Sequence, residues 1–177
     1  MVDVATGSLR EQRPISAGVQ RAAFSPRGTF LLLIEGNGQG AIWSAEQRMA
    51  MYWSNSLGEV RSLAMSEDER TLATGDEEGR VRIWDVSSGQ LRGQYHWQPN
   101  AIVQLTFAPD HHTLAVATVE GQVHQIDVAA RHVPDRLHCG CMSGQALAWS
   151  ADGETLAAAA QDGSAYLFDC RTGITPA

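Results

Sequence analysis

Three observations predict an all-β chain of four tandem antiparallel units. An apolar residue followed by a turn recurs at Phe24, Met65, Phe107 and Trp149, spaced 41, 42 and 42 residues apart. A second mark, the end of a later apolar run, falls at Trp43, Trp84, Ile126 and Phe168 with the same spacings, and a glycine stands five residues before each (Gly38, Gly79, Gly121, Gly163). Finally, no segment keeps apolar residues at helical spacing over three turns, and turn signals recur about every 8–12 residues. Four short strands in each period of about 42 residues make the pattern of one propeller blade.

Each unit reads the same way from its first strand on. Val60 to Met65 is the first strand of the second unit. Ser25-Pro26-Arg27-Gly28, Ser66-Glu67-Asp68-Glu69, Ala108-Pro109-Asp110-His111 and Ser150-Ala151-Asp152-Gly153 follow the first strands. Serine first, proline second and glycine last suit a type I turn, with proline presetting φ and glycine accepting a positive φ. The second strands, Phe30 to Ile34, Leu72 to Gly75, Leu114 to Thr118 and Leu156 to Ala160, are apolar at successive positions and so predict burial on both faces. A hairpin ending in Asp-Gly or Glu-Gly leads to an alternating third strand such as Val81-Arg82-Ile83-Trp84. A more polar fourth strand begins near Leu91 and near Val133.

The stretch from Ser62 to Gly89, with Leu72-Ala-Thr-Gly-Asp-Glu-Glu-Gly-Arg-Val-Arg-Ile-Trp84-Asp85 at its centre, resembles a WD repeat of the tryptophan–aspartate β-propeller family. Gly121 to Asp127 and Asp162 to Asp169 are similar but replace the tryptophan, and the first unit keeps Trp43 with Ser44 in place of the aspartate. The resemblance covers essentially the whole chain and implies fold more than function, since such propellers serve unrelated partners. It also implies a hydrogen-bonded network of His, Ser/Thr, Asp and Trp inside each blade. Here the His position holds Ile15, Ser56, Gln98 and Gly140, and the Ser/Thr position holds Leu33, Thr74, Val116 and Ala158. Only the second blade keeps part of the network, through Thr74 and Trp84 with Glu78 at the Asp position; the others are expected to rest on apolar packing, which is nearly neutral when every polar partner is replaced.

The register divides the chain into an orphan fourth strand at 1–13, blade 1 at 14–53, blade 2 at 54–96, blade 3 at 97–138, and blade 4 at 139–177 lacking its fourth strand. Val2-Asp3-Val4 aligns with Trp84-Asp85-Val86, and the C-terminal stretch stops at the same point of the repeat. The last blade is expected to be completed by an N-terminal strand from the same or another chain. Three closures fit: a four-blade ring, two chains joined head to tail as an eight-blade homodimer, or a fragment of a longer propeller. The resemblance implies rings of seven or eight blades.

In a propeller the loops between fourth and first strands, and between second and third strands, share one face, here called the top. These loops contain Glu35, Glu59, Asp76, Glu77, Glu78, Glu120 and Asp162 and no arginine, predicting an acidic face that steers a basic peptide. Glu78, Glu120 and Asp162 also stand just before a hairpin glycine, where turn chemistry favours them. Trp97 and Asn100, beside Pro99, form a candidate interface anchor, with packing of Trp97 against its own blade edge as the alternative. The candidate partner-binding residues are therefore Glu35, Glu59, Asp76, Glu77, Trp97, Asn100, Glu120 and Asp162.

Other chemistries find little support. His138-Cys139-Gly140-Cys141 supplies ligand types for zinc or copper, but Cys170 is expected roughly 15–20 Å away on the opposite face, so no metal, cofactor or disulfide is expected. His111-His112 reads as a solvated turn. Hydrolase elbows, zincin motifs and phosphate loops are absent, and Gly36 to Gly40 reads as a hairpin, so the chain is not read as an enzyme. The 177 residues carry a formal charge of −7, which argues against a nucleic-acid backbone binder. No stretch approaches 18 apolar residues, the N-terminus lacks the pattern of a secretion signal, and three cysteines in such a chain fit a reducing compartment, so no membrane contact and a cytoplasmic location are expected. The sequence thus predicts a non-catalytic protein-interaction platform, the alternative being a purely structural part of a larger propeller with no separate ligand.

Overall fold

The computed structural model describes residues 18–35, 40–44, 50–53, 59–97, 100–130, 144–160 and 163–170. Fourteen strands and no helix occur among them. The first sheet has the order β1 (Val19–Phe24), β2 (Phe30–Glu35), β3 (Gly40–Ser44), β4 (Ala50–Trp53). The second has the order β5 (Val60–Met65), β6 (Thr71–Asp76), β7 (Arg80–Asp85), β8 (Leu91–His96). Two three-stranded sheets follow: β9 (Ile102–Phe107), β10 (Thr113–Thr118), β11 (Val123–Asp127), and then β12 (Gly144–Trp149), β13 (Thr155–Ala160), β14 (Ala165–Asp169). Every pairing is antiparallel between chain neighbours, as in propeller blades. The strand at Leu91 is present as β8. The segments expected at 9–13 and near Val133 lie outside the described residues, so the completing N-terminal strand does too.

The turn after each first strand follows the serine and glycine signals. The N–H of Gly28, Glu69, His111 and Gly153 donates to the carbonyl of Ser25, Ser66, Ala108 and Ser150 respectively, at 2.8–3.1 Å. All four of these last positions have positive φ, from 60° to 76°. Glycine takes that conformation at little cost; Glu69 and His111 take it against the contact between Cβ and the backbone. Glu69 is offset by its carboxylate, which accepts from the Ser25 hydroxyl and from the Arg27 N–H at 3.0 Å and so ties the second sheet to the first.

A β-bulge interrupts each first strand at the same repeat position, between Val19 and Arg21, Val60 and Ser62, Ile102 and Gln104, and Gly144 and Ala146. The extra residue shifts the alternation by one. Val60, Leu63 and Met65 therefore lie on one face, opposite Asp76, Thr74 and Leu72, while Ser62 and Ala64 lie on the other. The sequence pattern alone did not reveal this, because a bulge breaks the period of two that pattern reading relies on.

The cores lie between sheets. One cluster joins Leu32, Ile34 and Ile42 to Val60, Met65 and Leu72. A second joins Ala73, Val81 and Ile83 to Ile102, Leu105 and Leu114. A third joins Ala115, Ala117 and Val123 to Leu147, Leu156 and Phe168. Gly75 is part of the second seam: a methyl group added there would overlap the Ile102 side chain. Polar stitches cross the same seams. Ser62 Oγ accepts from the Leu105 N–H at 3.0 Å. The Gln104 amide accepts from the Leu147 N–H at 2.9 Å and donates to its carbonyl at 3.2 Å.

The second sheet keeps the one implied blade bond: Trp84 Nε1 donates to Thr74 Oγ1 at 3.0 Å. In the third and fourth sheets Val116 with Ile126, and Ala158 with Phe168, fill the corresponding positions and are buried. Asp85 and Asp127 each fold the turn that follows the third strand. Asp85 accepts from the Ser88 N–H at 2.8 Å and Asp127 from the Ala130 N–H at 2.8 Å.

Two measurements check this account. His111→Gly is expected to raise stability by about 0.5–1 kcal/mol in urea unfolding, because it relieves the positive φ and gives up only a half-exposed side chain whose contact with Glu67 of the second sheet is long, at 3.9 Å. The Ser87 hydroxyl and then the Ser88 N–H hold the Asp85 carboxyl well below the usual carboxylate range, with Arg92 adding to them. A carboxyl lowered on folding contributes stability that is complete above its unfolded pKa, about 4, and is lost as pH falls through the folded value. Asp85→Asn should therefore flatten the acid limb of stability against pH below about 4 and leave its shape near neutrality unchanged.

Candidate functional site

The hairpin between β6 and β7 meets Trp97, just after β8, and Asn100, just before β9. Gly79 turns the hairpin at φ 81°. Its carbonyl accepts from the Trp97 N–H at 2.9 Å, and the Trp97 carbonyl accepts from the Asn100 N–H at 2.8 Å. A Cβ on Gly79 would meet the Trp97 carbonyl oxygen at 2.5 Å and that of Asn100 at 2.6 Å. Backbone lies close against backbone here, so Trp97 and Asn100 are clamped onto the hairpin.

The charge pattern of the top differs from the expected one. Asp76 is fully buried, not part of an open acidic surface. Its Oδ1 accepts from the Arg80 N–H at 2.8 Å and the Glu78 N–H at 3.1 Å; its Oδ2 accepts from Arg80 Nε at 2.8 Å and Arg82 Nη1 at 3.0 Å. Arg82 is itself buried on β7. Glu78 pairs with Arg80, and Glu77 pairs with Arg61 of β5 at 3.0 Å. The Asp76 hydrogen bond holds the Arg80 guanidinium above its ordinary pKa, and the Glu77 hydrogen bond does the same for Arg61. The loops hold no arginine, as the sequence showed, but the strands beside them deliver three, Arg61 from β5 and Arg80 and Arg82 from β7. The signal was in the hairpin: Arg82 stands opposite Thr74 across the β6–β7 register, so Arg80 and Arg82 share the face of Asp76.

The other candidates separate in the same way. Glu35, at the end of β2, is buried, with Oε2 meeting no hydrogen-bond partner among the described residues. Asn100 is buried and donates through Nδ2 to Gln122 Oε1 at 3.4 Å. Trp97 is half-buried; its ring stacks on Tyr95 with centroids 6.1 Å apart and tilts against buried His124 at 5.1 Å. It packs on the seam between the second and third sheets and is half-buried there. Sequence reading had singled out neither Tyr95 nor His124. Glu59 is half-buried and Glu120 exposed, and neither forms an ion pair among the described residues. Asp162 lies outside the described residues, as do His138, Cys139 and Cys141. Cys170 is half-buried, accepts from Gln125 Nε2 at 3.1 Å, and has its thiol pKa pushed up by burial. No group of three or more metal-ligating side chains occurs among the described residues.

The buried carboxylate has a sharp expected signature. Asp76→Ala strands Arg82 without a counter-charge and should cost about 3–5 kcal/mol in denaturant unfolding. Gly79→Ala combines a positive φ with a clash into two carbonyls and should cost about 2–4 kcal/mol.

Known proteins match this architecture. A family model described as the Vps8 beta-propeller matches residues 36–145, and a model of the WD domain, G-beta repeat, matches residues 138–169. Over 51 residues, 28% of the chain, the sequence is 43% identical to human apoptotic protease-activating factor 1, of whose length the chain spans 4%. The structure is similar to the β-propeller domain of Myceliophteria thermophila Cps50 (Swd1), with TM-score 0.80 and 21% identity over 92% of this chain and 55% of that one. It is similar also to the RRP9 WD40 repeats and to U3-55K, each with TM-score 0.79 and 18% identity over 93% of this chain and 52% of theirs. With one propeller model matched over more than half of its residues and a WD repeat matched beside it, the chain belongs to the WD-repeat β-propeller family.

Proposed function

We propose that the chain is a non-catalytic protein-interaction platform whose top surface, around the clamped Trp97 loop, receives a basic peptide. One observation carries the reading: Trp97 and Asn100 are tied to the Gly79 hairpin through backbone, and Trp97 there is only half-buried, with its ring against Tyr95 and His124. A preorganised loop loses little entropy when a partner docks, and an amphipathic ring on it can anchor one. The acidic character comes from Glu59 and Glu120, with Glu77 sharing its charge with Arg61. Asp76, Glu35 and Asn100 act in this reading as supports beneath the surface, since they are buried.

A second reading, in which the chain is a structural part of a larger ring, is favoured by the large apolar side chains exposed on the first and last sheets, Phe24 and Leu167 among them.

Short Lys/Arg-rich peptides test the platform. Fluorescence anisotropy should show binding that weakens with added salt, and Glu59→Gln, Glu77→Gln and Glu120→Gln should each weaken it about two- to fivefold, the range of one exposed ion pair. Binding that ignores both salt and all three substitutions would sink the acidic-surface reading.

A further inference from the structure

We propose that the seam between the first and second sheets holds a carboxylate-binding site. Its donors are the Arg21 guanidinium and the Leu63 N–H, and its ligand is an organic acid or an acidic side chain. The site shares no residue with the candidate top surface and does not rest on the peptide-binding reading.

The argument comes from one repeat position compared across three seams. Arg21, Ser62 and Gln104 hold the same place after the bulge of their first strands. Ser62 accepts from the Leu105 N–H of the next sheet at 3.0 Å. Gln104 accepts from the Leu147 N–H at 2.9 Å and donates to the Leu147 carbonyl at 3.2 Å. By the same register Arg21 belongs with Leu63, which pairs with Thr74 as Leu105 pairs with Val116 and Leu147 with Ala158. In an antiparallel strand the N–H and C=O of one residue point to the same edge, so at Leu63 both point away from β6. Arginine has N–H donors and no acceptor. It cannot make the stitch to the Leu63 N–H that serine and glutamine make at the next two seams.

A cavity of about 610 Å³ lies at this place. Arg21, Leu32, Ile34 and Leu63 line it, and it reaches as far as Gln104 on β9. Two unlike donors thus border one space. One is a main-chain N–H, and the other is a guanidinium that forms no ion pair among the described residues. A carboxylate fits them, one oxygen to each donor, and a guanidinium keeps donors to spare for the Leu63 carbonyl. Leu32, Ile34 and Leu63 give the cavity an apolar wall, and its volume is that of sites for organic ligands. A bare inorganic ion would leave that wall uncovered, so the carboxylate is one carried on a carbon stem. All lining residues belong to the first three sheets, and all three seams lie inside the chain, so the comparison holds whatever adjoins its ends.

Nuclear magnetic resonance on the isotope-labelled 177-residue chain tests the site, with glutarate as a free acid and tetraglutamate as an acidic segment. The Leu63 amide signal should shift saturably with at least one of them. Glutarate binding assigns a free organic acid, and binding of tetraglutamate alone assigns the acidic side chain of a partner. Arg21→Met should weaken binding about tenfold or more, the scale of a hydrogen bond to a charged group. Arg21→Gln places at the first seam the side chain that stitches the third. It should abolish binding and slow hydrogen exchange at the Leu63 amide toward the rate at Leu147, with an unchanged circular-dichroism spectrum. A Leu63 signal that moves with neither ligand overturns the site, a result that needs no variant. Binding that either substitution leaves unchanged overturns it as well.

Discussion

Each sheet in this chain is apolar on both faces, and neither face can be left in water without losing the main favourable term in folding. That requirement organises the rest. A lone four-stranded sheet with two such faces would not be stable, so the sheets stack, each serving as the wall of its neighbour's core. Leu72, Leu114 and Leu156 sit at one repeat position and are all almost completely buried, each in a different seam. The repeat is thus an energetic unit only in company, and stability runs along the arc through nearest-neighbour seams.

Polar groups are placed so as not to interfere with this stacking. Stitches such as Ser62 to Leu105 and Gln104 to Leu147 satisfy backbone groups at the edge of the next inner strand. The most polar cluster, Asp76 with Arg80 and Arg82, is self-contained: two guanidiniums and two backbone N–H groups converge on one carboxylate. A buried ion pair of this kind holds only because every charge is met, which ties the shape of the β6–β7 hairpin to the integrity of the second sheet. The same hairpin supports the Trp97 loop through Gly79, so the structural network and the candidate binding surface share one piece of backbone.

Much of the fold was legible because its signals are local. Turn position, the glycine before each third strand, and the doubly apolar second strands depend on a few adjacent residues, and Phe24, Met65, Phe107 and Trp149 mark the register without any tertiary information. The candidate site was legible only in part. The loops alone put seven carboxylates on one face and left out the arginines that pair with three of them, because Arg61, Arg80 and Arg82 lie on strands β5 and β7. Trp97 and Asn100 looked alike in sequence as members of a polar loop, but one is half-buried on a seam and the other lies beneath the surface.

By itself the sequence determined the repeat period, the order of the first three strands in each unit and the places of the turns, and it carried the resemblance to the family, since period, turn chemistry and apolar runs are properties of the local chain. The tertiary structure decided what depends on how strands pair and sheets stack. It revealed the bulge that swaps faces in every first strand, the burial of Asp76, and the tie from Glu69 to Ser25. It also showed which apolar faces find a neighbour and which, at Phe24 and Leu167, do not. Exposure of that kind cannot be read from a residue's type, because the same repeat position is core in one sheet and surface in another, depending on whether another sheet stands beside it.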